Sequence, residues 1–127
     1  MPVNSNGTVE IDSVTNLIHE DTGLISIMLA NNEVGTIQPV QEIVKITRSL
    51  NIPFHTDAVQ ALGKIPVDVN SLGVEYLSLS AHKFYGPKGI GALFVKSKKM
   101  VKSLIVGGEQ EYGIRGGTEN IAGIVGM

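Results

Sequence analysis

The run "GLISIMLA", Gly23 to Ala30, constrains the fold of this chain more than any other stretch. It falls well short of the ~20 apolar residues that span a bilayer. Its unbroken apolar character marks a buried, parallel strand. The loop "NNEVGTIQP" follows, punctuated by Gly35 and Pro39. Pro39 suits a helix start, and Val40, Ile43, Val44, Thr47 and Leu50 give that helix one apolar face. "IPFHTDA" then reads as a second strand, so Leu24 to Asp57 forms one βαβ unit.

The rest of the chain continues this rhythm. Ile11, Val14, Leu17 and Ile18 recur at helical spacing and predict a helix over residues 10–19. Residues 70–73 form a short helical turn, "EYLSLS" a third strand and "IGALFV" a fourth after a tight loop. Short strands alternating with helices point to an α/β fold with a three-layer open, mostly parallel sheet. The expected sheet is incomplete, because no strand precedes the first helix and the pattern Ile121, Ile124, Val125 has only begun when the chain ends.

With 127 residues the chain is long enough for one domain with a modest core. A net charge of -2, with no basic stripe, argues against nucleic acid as a partner. The N-terminal stretch has neither the basic nor the apolar region of a signal peptide, and no run is long enough for a membrane span, so cytoplasm is the default compartment. Cysteine is absent, which excludes disulfides, thiolate metal sites and a cysteine nucleophile within these residues. No His, Asp or Glu set has helical ligand spacing such as H-x-x-x-H, so no metal site is expected.

In open α/β sheets, ligands gather at the carboxyl ends of the strands. After the first strand come Asn31, Asn32 and Glu33; after the second, Asp57 and Gln60; after the third, Ser80, His82 and Lys83. An amine, a carboxylate, amides, a histidine and hydroxyls on one rim suit an organic cofactor better than a metal. Pyridoxal phosphate fits best, since it needs a Schiff-base lysine and an acid beside its pyridinium nitrogen. Lys83 is the candidate lysine and Asp57 the acid. Gln60 and Asn31 are candidates for the ring oxygen, and Ser80 and His82 for the phosphate.

Each residue alone has a blander reading. Lys83 either reaches solvent from a turn or has chemical work, because burying an unpaired amine is costly. Asp57 alone suits a helix cap, and "NNEVG" alone suits a turn. "GPKGIG" lacks both the spacing and the following helix of a phosphate-binding loop. His55 reads as a packed core histidine, and His19 lies on a surface helix with no assigned role.

Four ordered stretches carry a closer likeness: "MLANNEVGTIQPVQEI", "HTDAVQALGKIPVDV", "SLSAHKFYGPKGIGALFV" and "GGEQEYGIRGGTENIAG". Together they resemble consecutive signatures of the cysteine desulfurases, which are class-V aminotransferase-like, fold-type I pyridoxal phosphate enzymes. Ala81 and Gly117 depart from the residues common in that family, and both changes are small. The resemblance implies that residues 1–127 form the central part of the cofactor-binding large domain, with no complete second domain. It implies that Lys83 carries the cofactor and then removes the substrate Cα proton. It pairs Asp57 with the ring nitrogen and gives Asn31, Gln60, Ser80 and His82 to cofactor binding. Thr118 would reach the cofactor phosphate of a partner subunit, with Arg115 in the same loop. The implied reaction takes L-cysteine to L-alanine and leaves a persulfide on an enzyme cysteine, in a homodimer that can serve a sulfur-acceptor protein. Selenocysteine lyases share these motifs, other relatives such as serine–glyoxylate aminotransferases match less well, and a non-catalytic structural segment is the alternative of another class. Lacking a cysteine, these residues alone are expected not to release sulfur.

Overall fold

The strands pair in the order β1 (Ile25–Met28), β2 (Phe54–Asp57), β3 (Tyr76–Ser80) and β4 (Gly91–Val95) in a computed structural model that describes residues 1–127. β1, β2 and β3 are parallel, with Met28 beside Asp57 and Asp57 beside Ser78. β4 runs antiparallel to β3 and places Gly91 opposite Ser80. The ten residues between β3 and β4 are too few for a parallel crossover, which needs about a dozen or more, so the chain must turn back.

Side chains alternate across each strand. Ile25, Ile27, Phe54, Thr56 and Leu77 face one way and are buried. α1 (Ile11–Asn16) adds Val14 to the same cluster, α2 (Val40–Ser49) adds Val40, Ile43 and Val44, and α3 (Val69–Leu72) adds Leu72. The open, mostly parallel sheet is the one the sequence predicts. Because α1, α2 and α3 all pack on one face, these residues display two of the three expected layers. The opposite face carries Ser26, His55, Asp57, Tyr76 and Ser78, none of them buried. The apolar run at β1 is therefore covered on one side only within these residues.

Local signals explain the element ends. α2 buries positions 40, 43, 44 and 47, the stripe of an amphipathic helix. It ends where Asn51 takes a left-handed φ of 57° and the Ile52 N–H reaches back to the Thr47 carbonyl. α3 begins at Asp68, whose side chain accepts from the Asn70 N–H at 3.0 Å, and stops at Gly73 with φ 74°. α1 is shorter than residues 10–19. Beyond Asn16 the chain tightens into three-residue turns, and the Thr22 hydroxyl takes the His19 N–H at 2.9 Å, which draws the backbone away from helical bonding. α4 (Ile121–Val125) follows the Asn120 cap, whose side chain accepts from the Gly123 N–H. No helix is long and apolar enough to cross a membrane.

Candidate functional site at the carboxyl edge of the sheet

Because β1, β2 and β3 run in parallel, their carboxyl ends open on one edge. Beyond β1, Ala30 bridges Ile37 and closes the loop between them. Asn31 organises that loop: its Oδ1 accepts from the Glu33 and Val34 N–H groups at 2.8 and 3.0 Å. Its Nδ2 has only the Met28 sulfur, at 3.4 Å, and so keeps donor capacity.

β2 ends on Asp57 itself. Asp57 Oδ1 accepts from the Val59 N–H at 2.8 Å, which is the capping role its residue type allows. Oδ2 takes no hydrogen bond from the chain, so the cap leaves a carboxylate oxygen for a ligand. The helical turn that follows carries Gln60, whose Oε1 accepts from Lys64 Nζ at 2.8 Å. An ammonium only donates, so this contact leaves the Gln60 NH2 as the free end of the amide. Sequence reasoning missed Lys64, although the four-residue spacing in "QALGK" was its signal.

β3 ends on Ser80 and passes directly into a single 3₁₀ turn, Ala81–Phe84. Ser80 Oγ lies 2.9 Å from His82 Nδ1, which leaves His82 Nε2 unpaired. Tyr85 closes the turn at φ 71°, and the Gly86 N–H bonds the Ala81 carbonyl at 2.9 Å. A Cβ on Gly86 would lie 2.9 Å from Ala81 Cβ, closer than real contacts allow, so a side chain there displaces the turn. Lys83 is exposed on this turn, and its amine makes no hydrogen bond or ion pair. Lys83 thus reaches solvent from a turn, so burial cost argues neither for nor against chemistry at its amine.

The rim thus brings together Asn31, Asp57, Gln60, Ser80, His82 and Lys83 by strand order. Asn31 and Gln60 also line one groove of about 430 Å³, together with Glu33 and Lys64. Thr118 is exposed in the loop before α4. Arg115, in the same loop, donates only to the Gly116 carbonyl at 3.4 Å. His55 is not packed in the core as the sequence suggests. It is half-buried on the polar face of the sheet and bonded to two serines.

The free groups form a definite set of donors and acceptors: an unpaired amine, a carboxylate oxygen, two amide NH2 ends and a hydroxyl–imidazole pair. They match a ligand with an aldehyde, a basic ring nitrogen, an acceptor oxygen and a phosphate, and so they fit pyridoxal phosphate.

Comparison with known proteins carries the same sense. The family model for class-V aminotransferases matches residues 1–127. The chain belongs to the class-V aminotransferase family. Among curated relatives of this class-V chain, cysteine desulfurase IscS of Dictyoglomus turgidum is 56% identical over all 127 residues, which cover 32% of that protein. Cysteine desulfurase IscS of Methanosarcina thermophila is 53% identical over the whole chain and 31% of its own length. The class-V chain therefore spans about a third of the length of these relatives. Among solved structures, a NifS-like protein shares 50% identity at a TM-score of 0.93, over 98% of this chain and 35% of that one. SspA in complex with cysteine superposes at a TM-score of 0.91 with 46% identity, over 95% of this chain and 35% of that one.

Proposed function

We propose that residues 1–127 are the central part of the cofactor-binding domain of a pyridoxal phosphate-dependent cysteine desulfurase. The observation that carries the reading is the shared edge of β1, β2 and β3, where unpaired groups of the right chemistry follow each strand. The likeness to cysteine desulfurases over the whole chain supports the same choice of substrate.

Pyridoxal phosphate supplies, when bound, an electron sink for the charge left at a substrate carbon that loses its proton. Lys83 would be the attachment point for the cofactor and, with its amine free, would be the base that takes the substrate Cα proton. Asp57, anchored by the Val59 N–H, uses its other oxygen to hold a proton on the ring nitrogen. The NH2 ends of Asn31 and Gln60 donate to the ring oxygen. Ser80 and His82 bind the phosphate from this chain, and Thr118 reaches the phosphate held by a second copy in a homodimer. The sulfur of L-cysteine passes to a thiolate of the enzyme, leaving L-alanine and an enzyme persulfide; a sulfur-acceptor protein takes the outer sulfur and the enzyme thiol is regenerated. A cytoplasmic setting belongs to this reading.

The full-length protein, supplied with pyridoxal phosphate, L-cysteine and a reducing thiol, is expected to form alanine and sulfide in equal amounts. Lys83→Ala should reduce both to the level of free cofactor. Turnover of selenocysteine without turnover of cysteine would replace this reading by a selenocysteine lyase. No turnover of either would leave a structural or differently active class-V protein.

A further inference from the structure

Strands of a parallel sheet in α/β folds usually carry apolar side chains on both faces. The face opposite α1, α2 and α3 departs from this just below the candidate site. Ser26 on β1 is the register partner of His55 on β2, and Ser78 on β3 is the register partner of Asp57. Ser26 Oγ lies 2.7 Å from His55 Nδ1, and Ser78 Oγ lies 3.1 Å from His55 Nε2. Each hydroxyl can donate or accept, so either neutral tautomer of the ring has both nitrogens satisfied. One imidazole thereby laces together three strands, and they are the three that deliver Asn31, Asp57 and Ser80 to the rim.

Two further relations tie this lacing to Asp57. His55 and Asp57 are two residues apart on β2 and so share one face. Ser78 is bonded to the first and stands beside the second. Asp57 itself has a single internal anchor, the Val59 N–H. Its remaining placement depends on how β2 sits between its neighbours, and cross-strand side-chain pairs help to set that.

We propose that His55 is a positioning residue for the cofactor site. Through Ser26 and Ser78 it fixes the lateral spacing of β1, β2 and β3 one step below the rim, and so sets where the Asp57 carboxylate stands. It touches no reacting group. The inference rests on the cofactor reading above, with Asp57 as the partner of the ring nitrogen.

The test uses the full-length protein and pyridoxal phosphate. His55→Phe keeps a planar ring suited to a strand and removes both hydrogen bonds. Its dissociation constant for pyridoxal phosphate should rise about tenfold, the scale of one or two hydrogen bonds. The visible absorbance maximum of the bound cofactor should move in the direction that Asp57→Asn moves it. The melting temperature without cofactor should fall by no more than about 2 °C, a small shift for a protein of the full length. His55→Gln, with an NH2 donor and an oxygen acceptor, should restore most of the affinity and the spectrum. Ser78→Ala, a milder change that serves if His55→Phe does not fold, should shift both readouts the same way by less. If Asp57→Asn alters affinity and spectrum while His55→Phe and Ser78→Ala alter neither, the positioning role is wrong and the cofactor reading stands. If Asp57→Asn alters neither, the cofactor reading fails and the positioning role with it.

Discussion

The two faces of the sheet differ more than the alternation of its strands requires. One face meets α1, α2 and α3 through Ile25, Ile27, Phe54 and Leu77, all buried and apolar. The other presents Ser26, His55, Asp57, Tyr76 and Ser78 on the same three strands. The apolar face gains stability from removal of surface from water. The polar face has little such gain, and its order rests on hydrogen bonds such as those of His55. Substitutions on the first face should therefore act on folding, and those on the second or at the rim should act on the site while sparing the fold.

The largest expected effect breaks this division on its apolar side. Phe54 is fully buried, so Phe54→Ala should destabilise by about 3–5 kcal/mol, measured as a lowered urea midpoint. A midpoint close to wild type would show that the core is not where the burial pattern puts it. At the rim, Asp57→Ala in the full-length protein removes a bond to a charged group worth ~1.5–3 kcal/mol, or about one to two decades in Cα proton removal. Its urea midpoint should move far less than that of Phe54→Ala. Near-normal turnover would reduce Asp57 to the cap it forms with Val59.

A smaller effect tests the turn that holds Lys83. In Gly86→Ala the new Cβ meets Ala81 at 2.9 Å, and such overpacking costs about 1–3 kcal/mol. Cofactor affinity should fall more than stability does, because the displaced segment is the 3₁₀ turn carrying His82 and Lys83. Equal losses would mean that the turn is structural only.

The smallest effect lies at the N-cap of α3. Hydrogen bonds from Ser71, first, and from the Asn70 backbone hold the Asp68 carboxyl below its usual value. A depressed carboxyl pKa adds stability that is present above the unfolded-state value of about 3.9 and is lost as the pH falls below it. Asp68→Asn keeps the cap but not the charge. Its urea midpoint should lie slightly under wild type at pH 7 and converge with it as the pH falls below the lowered carboxyl value. A gap that persists at low pH would assign the effect to the cap geometry instead.

Much of this division is visible in the sequence, and the part that is not has a physical reason. The apolar residues of Ile25–Met28 and Tyr76–Ser80 and the stripe at Val40, Ile43, Val44 and Thr47 encode the sheet and its helix directly. Strand order then predicts which polar residues share the rim. The polar face is not legible in that way. Ser26, His55 and Ser78 are more than twenty residues apart in turn, and only the register aligns them. His55 reads as a core residue because a lone histidine inside a short strand carries no sign of which face it takes. The early end of α1 depends on one hydroxyl, that of Thr22, whose bond to the His19 N–H has no periodic signal. The exposure of Lys83 follows from the 3₁₀ turn and the left-handed Tyr85, neither of which the apolar pattern announces.

As proposed, the rim is a cofactor site built around Lys83. The most direct measurement loads the full-length protein with pyridoxal phosphate, reduces it with borohydride and maps the modified peptide by mass. A pyridoxyl group is expected on Lys83, within the peptide that also contains His82. Modification of Lys88, five residues further along the same loop, with Lys83 left untouched would contradict it.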